Sequence, residues 1–145
     1  MSRPTPNEFD DYLYHHPIQT RWADNDIYGH INNSAYYFYF DTVVNHYLVR
    51  NCGLDIHNGD IIGLVVRTSC DYFSPAAFPE AITAGLRVSK LGTSSVTYEL
   101  ALFTDKPTAI AQGHFVHVYV DEKTRRPVPI DDEMRKQLQT LCSPT

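Results

Sequence analysis

The chain has 145 residues, a net charge of -5, 43% apolar and 20% charged residues. That length suits one domain with a real hydrophobic core, in a composition ordinary for a globular protein. The acidic balance excludes nucleic acid as the main partner, because phosphate binding needs a basic surface, although a local basic patch can still hold a small phosphorylated ligand.

Residues 1–16 are polar and aromatic, include two prolines and read as an arm. The opening MSRPTPNEFD lacks the apolar stretch of a secretory signal, and no apolar run approaches membrane-spanning length. Cys52, Cys70 and Cys142 are odd in number and lack CxxC spacing, so neither a disulfide framework nor a zinc site is expected. These features predict a reduced, cytoplasmic protein without a membrane partner.

A short strand is expected from Ile18 to Trp22, followed by the polar run DNDIYGHINN and a helix from Ser34 to Asn51. Tyr36, Tyr39 or Phe40, Val43 and Tyr47 recur at spacings of three and four, with Val44 and Leu48 beside them. Asp41, Thr42, Asn45, His46 and Arg50 take the other side. Tyr37 and Phe38 widen the apolar face, which predicts a helix buried over most of its circumference. Asn32, Asn33 or Ser34 can cap its start, and Gly53 suits the left-handed residue after its end.

Everything after Asp60 reads as strand. IIGLVVRTSCDYF is apolar and β-branched at its start, as expected of a central strand covered on both faces. Ile82, Ala84, Leu86 and Val88 alternate with Thr83, Gly85, Arg87 and Ser89; Val96, Tyr98, Leu100 and Leu102 alternate with Thr97 and Glu99. In the last strand Ile110, Val116, Val118 and Val120 share one parity with Gln112 and His114. Leu91-Gly92-Thr93 is a tight turn in which Gly92 can take positive φ. Pro75, Pro79 and Pro107 fall between strands. A short helix over residues 131–141 closes the chain. One long helix against antiparallel strands is a two-layer α+β architecture. The sheet face or edge left uncovered predicts a homodimer or a dimer of dimers.

The polar run has chemistry of its own. A carboxylate ahead of a helix N-terminus sits beside free N–H groups and the positive end of the helix dipole. The same N–H groups can receive a developing oxyanion. A carboxylate and an N–H donor together make a minimal acyl-transfer site, the carboxylate attacking or activating water. Capping is the alternative role for Asp24 and Asp26. Gly29 suits a backbone passing close to a ligand.

RWADNDIYGHINNSAYYFYF (residues 21–40) resembles the signature of the hotdog-fold acyl-CoA thioesterases of the 4-hydroxybenzoyl-CoA thioesterase family. VSKLGTSSVTYEL and AQGHFVHVYVDEKTRRPVPI resemble later segments of that family, and DNDIYGHINN also resembles plant acyl-carrier-protein thioesterases. The resemblance runs from about Tyr14 to Leu141. It implies a single hotdog domain, a long central helix wrapped by a five-stranded antiparallel sheet, with an acyl-CoA as substrate and no separate cofactor. Asp26 falls on the family's catalytic carboxylate. Asn33 falls where a backbone N–H polarises the thioester carbonyl. His30 matches the carrier-protein branch, where the benzoyl-CoA branch is aliphatic, and reads either as a site residue or as a structural one.

Tyr36, Tyr37, Phe38 and Tyr39 serve the core, and one or two of them, Tyr36 first, line an acyl or aryl pocket. For the coenzyme A phosphates and pantetheine the candidates are Lys90, Lys123, Arg125, Arg126, Ser94 and Ser95, each also readable as ordinary surface. His114 and His117 have opposite strand parity and make no metal pair. A hotdog hydratase would need differently spaced motifs that this sequence lacks; an acyl-carrier-protein thioesterase and a non-catalytic acyl-CoA-binding module remain the alternatives.

Overall fold

The computed structural model describes residues 4–142. In chain order these form β1 (Tyr14–Ile18), α1 (Asn33–Asn51), β2 (Ile61–Tyr72), β3 (Ile82–Leu91), β4 (Ser95–Phe103), β5 (Ala111–Asp121) and α2 (Asp132–Gln139), with single 3-10 turns at Phe9–Asp11 and Trp22–Asp24. The five strands make one antiparallel sheet in the order β1-β3-β4-β5-β2. The expected two layers are present, with α1 lying across the middle of the sheet.

The Asn32 side chain caps α1 by accepting from the Ser34 amide at 2.9 Å, and Gly53 follows its end at φ +71°. The helix buries Ala35, Tyr36, Tyr39, Phe40, Val43, Val44, Tyr47 and Leu48. These meet Leu86, Val96, Tyr98, Leu100 and Phe115 from the sheet. Each valine, leucine or phenylalanine among them contributes roughly 1.5–3 kcal/mol when fully buried. Phe38, Asp41, Thr42, Val49 and Arg50 are exposed, so α1 is buried on one side and not over most of its circumference.

Several expectations need correction. The first strand lies earlier, at Tyr14–Ile18, because Asp24 turns back to accept from the Arg21 amide at 3.0 Å and closes the Trp22–Asp24 turn. Residues 14–16 of the expected arm are thus sheet, and Phe9 and Tyr12 pack with Ala101, Phe103 and Ala109 on the sheet's outer face; residues 1–3 lie outside the described part. Strand β2 is an edge, not a centre: among the described residues it pairs only with β5, and Leu64, Val65 and Val66 are exposed beside a bulge between Val65 and Arg67. In β5 the odd parity faces the core, through Ala111, Gly113, Phe115, His117 and Tyr119. Val116, Val118 and Val120 take the other parity, and β-branched residues also suit an outer pleat. Gly92 is not in the left-handed region; there a Cβ would meet the Ser95 hydroxyl at 2.7 Å.

Candidate active site

The segment Ala23–Asn32 is a loop folded back on itself. Asn25 bridges Ile31, the Asp26 amide donates to the His30 carbonyl at 2.8 Å, and the Gly29 amide donates to the Asp26 carbonyl at 3.0 Å. Gly29 sits at φ +82°, a conformation that costs other residues energy. A Cβ there would touch nothing within 4 Å, so glycine answers to backbone geometry and not to a close neighbour. The tip of the loop presents Ile27 and Tyr28, 92% and 82% exposed.

Two neighbours hold this loop. On one side Asn25 Oδ1 accepts from the Phe78 amide at 3.0 Å, and the Ile31 amide donates to the Ala76 carbonyl at 2.8 Å. On the other, Asp24 is buried at 4% exposure. One of its oxygens takes the Arg21 Nε and guanidinium NH2, at 3.1 and 2.9 Å. Its other oxygen takes the Arg21 amide and the Tyr39 hydroxyl, at 3.0 and 2.5 Å. Burial pushes the Asp24 carboxyl up, but the hydrogen bonds from Tyr39 and Arg21 outweigh it and hold the group below its ordinary range. The Tyr39 hydroxyl is pushed up by its burial and by that carboxylate.

Asp26 is half-buried, and one carboxylate oxygen accepts from the Tyr28 amide at 2.9 Å. At the start of α1 the Ser34 amide is capped by Asn32 Oδ1, and the Ala35 amide bonds the Asn32 carbonyl. Among the described residues nothing accepts from the Asn33 amide. Asn33 itself lines a groove of about 300 Å³, together with His30, Ile31, Tyr36, Tyr72 and Pro75. The Tyr72 hydroxyl donates to the Asn33 carbonyl at 3.2 Å and fixes the first helical residue against the end of β2. The sequence does not single out Tyr72; the β-period of its strand gives no sign that its end meets the helix start.

The sequence candidates therefore fall into two groups. Asp26, Gly29, His30, Asn33 and Tyr36 surround the loop and the first turn of α1, with His30 exposed and Tyr36 buried as a groove wall. Asp26 reaches this region through the backbone pairing with His30 and does not itself line the groove. Lys90, Ser94, Ser95, Arg125 and Arg126 lie at the opposite end of the sheet, around the β3–β4 hairpin and the turn after β5. Arg125 occupies that turn at φ +64° and is exposed, as are Lys90 and Arg126. Within one chain the two groups do not meet.

No cluster of three or more metal-ligating side chains occurs among the described residues, nor a helix long and apolar enough to cross a membrane. The Cys52 and Cys70 thiols are each pushed up to about 11 by burial.

Residues 20–138 match the family pattern of the thioesterase-like superfamily. The PA5185 protein of Pseudomonas aeruginosa strain PAO1 superposes with a TM-score of 0.94 at 55% identity, covering 95% of this chain and 97% of that one. The long-chain acyl-CoA thioesterase FadM of Escherichia coli K12 is 23% identical over 128 residues, 86% of this chain and 96% of FadM. A thioesterase of Thermus thermophilus, solved with coenzyme A and zinc, superposes with a TM-score of 0.76 at 25% identity, covering 90% of this chain and 94% of that one.

Proposed function

The chain belongs to the thioesterase-like superfamily and is a thioester hydrolase, and from that premise we propose that its substrate is a fatty or aromatic acyl-CoA cleaved by Asp26 with help from the Asn33 amide. The observation that carries this reading is the Asn33 N–H without an acceptor among the described residues, at the head of a 19-residue helix, on a residue that lines a groove beside the folded-back loop of Asp26.

In this reading the thioester carbonyl oxygen takes the Asn33 N–H, where the helix dipole favours developing negative charge. Asp26, as base, accepts a proton from water while the water oxygen bonds the carbonyl carbon. As nucleophile, it bonds that carbon itself, and water then cleaves the resulting anhydride. Either way the C–S bond breaks, and the thiolate leaves as coenzyme A and takes up a proton. Coenzyme A is part of the substrate, and the chemistry calls on no further cofactor.

The second half of the proposal is a homodimer or a dimer of dimers built on it. Its support is the 12-residue edge strand β2, whose exposed Leu64, Val65 and Val66 would otherwise leave an apolar edge in water. Antiparallel pairing of β2 with β2 of a second copy sets the start of one strand beside the end of the other. The turn holding Arg125 and Arg126 of the partner subunit then approaches the start of α1, and their guanidinium groups suit the phosphates of coenzyme A. The -5 charge weighs against an acidic acyl carrier protein as the carrier, because like charges slow encounter. The free thiols of Cys52, Cys70 and Cys142 support a reducing, cytoplasmic setting.

The test is free-thiol release from short, long and aromatic acyl-CoAs, by wild type and Asp26→Asn side by side. Turnover by wild type that collapses in the variant, with circular dichroism and oligomeric state unchanged, is expected. Release that survives in Asp26→Asn removes Asp26 from the chemistry. No release from any member by folded protein overturns the acyl-CoA reading and leaves a carrier-protein substrate or a binding role.

A further inference from the structure

Asp24 is the most heavily bonded carboxylate in the described chain, yet nothing in the reaction above uses it. Its side chain is 2% exposed, while that of its ion-pair partner Arg21 is 71% exposed. A buried carboxylate is costly unless fully hydrogen-bonded, and each Asp24 oxygen here has two donors. Three of those donors come from Arg21, within the same turn. The fourth, the Tyr39 hydroxyl, is the sole side-chain tie from this carboxylate to α1, and at 2.5 Å it is the shortest.

The backbone of Asp24 is equally committed. Its carbonyl accepts from the Asn32 amide at 2.8 Å, so Asp24 and the helix cap form the two ends of the loop. Tyr39 stands in the second turn of α1, on the helix whose first amide is the free donor of the site. A bond from Tyr39 to Asp24 thus fixes the base of the loop to the same rigid body that carries Asn33. Asp26 is two residues further on.

We propose that Tyr39 is a positioning residue: through the buried Asp24 carboxylate it holds the loop bearing Asp26 in fixed relation to the N-terminus of α1. The inference rests on the reading of Asp26 as the reacting carboxylate. Besides the Asn32 amide–Asp24 carbonyl bond at its neck, the loop is tied to Phe78 and Ala76, on a connecting segment and not on the helix. Loss of the Tyr39 hydroxyl therefore leaves the loop base held to the helix start by the Asn32–Asp24 backbone bond without side-chain support, and lets Asp26 shift relative to Asn33 while the loop stays attached to Ala76 and Phe78. Misplacement of a reacting group by about 1 Å costs on the order of a hundredfold in rate.

The experiment is Tyr39→Phe, which keeps the buried ring, with Tyr98→Phe as a control that removes a different buried hydroxyl, one bonded to Tyr119 at 2.8 Å in the core. Amide hydrogen exchange and steady-state hydrolysis of an acyl-CoA are measured on both. In Tyr39→Phe the amides of Asp26 and Asn32 are expected to exchange at least about tenfold faster, with strand amides unchanged. Its kcat falls by about tenfold or more, and KM stays within about twofold. Tyr98→Phe leaves loop exchange at the wild-type rate.

Unchanged exchange at Asp26 and Asn32 in Tyr39→Phe overturns the proposal whatever the activity. So does a uniform rise across the sheet, which would mark a general loss of stability. Faster loop exchange with unchanged kcat also overturns it, by separating the anchor from catalysis. Asp24→Asn, which weakens the same tie from the other end, must loosen the same two amides. Should Asp26→Asn retain full activity, the catalytic reading fails by itself, and the exchange data still decide whether Tyr39 anchors the loop.

Discussion

Asn32 caps the amide of Ser34 at 2.9 Å and thereby leaves the amide between them, that of Asn33, as the free donor at the head of α1. Proline is well accepted as the first helical residue because its missing N–H has no helical partner to lose. Asn32 already holds φ -64° and ψ 143°, which suits a residue before proline. Asn33→Pro should therefore fold with a stability within about 1 kcal/mol of wild type. Its kcat should fall on the order of a hundredfold or more, the cost of removing one oxyanion donor. Thermal melts and thiol-release kinetics on the same sample check both halves.

His117 is 2% exposed in the core, and its Nε2 has no partner among the described residues. Burial lowers its pKa from 6.5 to about 4. The unfolded chain thus binds this proton more tightly than the folded one. Stability from the neutral ring is complete above about pH 6.5, declines as pH falls through the unfolded value, and levels off below about 4. His117→Phe should remove about 2 kcal/mol of the stability difference between pH 7.5 and pH 5. Urea denaturation at the two pH values measures it; an undiminished difference would assign the acid sensitivity elsewhere, His16 being the other histidine lowered by burial.

Val66 is 58% exposed on the open edge of the sheet. A charge there leaves the β2–β5 ladder intact within one chain but opposes a like charge across a two-fold edge pairing. Val66→Lys should weaken self-association by at least about tenfold in sedimentation equilibrium, with secondary structure retained. If the guanidinium groups that hold coenzyme A come from the partner, KM for acyl-CoA should rise as the dimer dissociates.

Gly29→Ala tests the loop from its backbone. Space exists for the methyl group, so the cost is that of a non-glycine residue at φ +82°, about 1–2 kcal/mol. The global melt should move little, because the loop is not core. The kcat should drop, and adding back stability with glycerol should not restore it.

The one-helix, antiparallel character of the fold was legible because α1 and the β3–β4 hairpin carry clean periods, and the glycine at 53 ended the helix as chemistry requires. The cap of α1 by Asn32 was legible too, since cap chemistry is local. What failed was everything decided by a neighbour far away in sequence. The valines of β2 announced burial without saying that no strand of the same chain covers them. In β5, Phe115, His117 and Tyr119 face the core although two of the three carry polar atoms, which the Tyr98–Tyr119 hydrogen bond in part satisfies. Strand order placed Lys90, Arg125 and Arg126 at the far end of the sheet from Asp26, a distance no spacing rule reveals. Asp24 read as a local cap, and its bond to Tyr39, fifteen positions on, required the fold.

The sheet order also sets a timetable for synthesis. Strands β3, β4 and β5 follow one another through short connections and can pair as they emerge. The 12-residue β2 is made before all three, yet among the described residues it pairs only with β5, the last strand. Until β5 is synthesised the described sheet offers β2 no partner strand, the condition under which exposed strand edges are prone to aggregate. The open edge is thus among the first parts of the sheet to be made and the last to be joined to it.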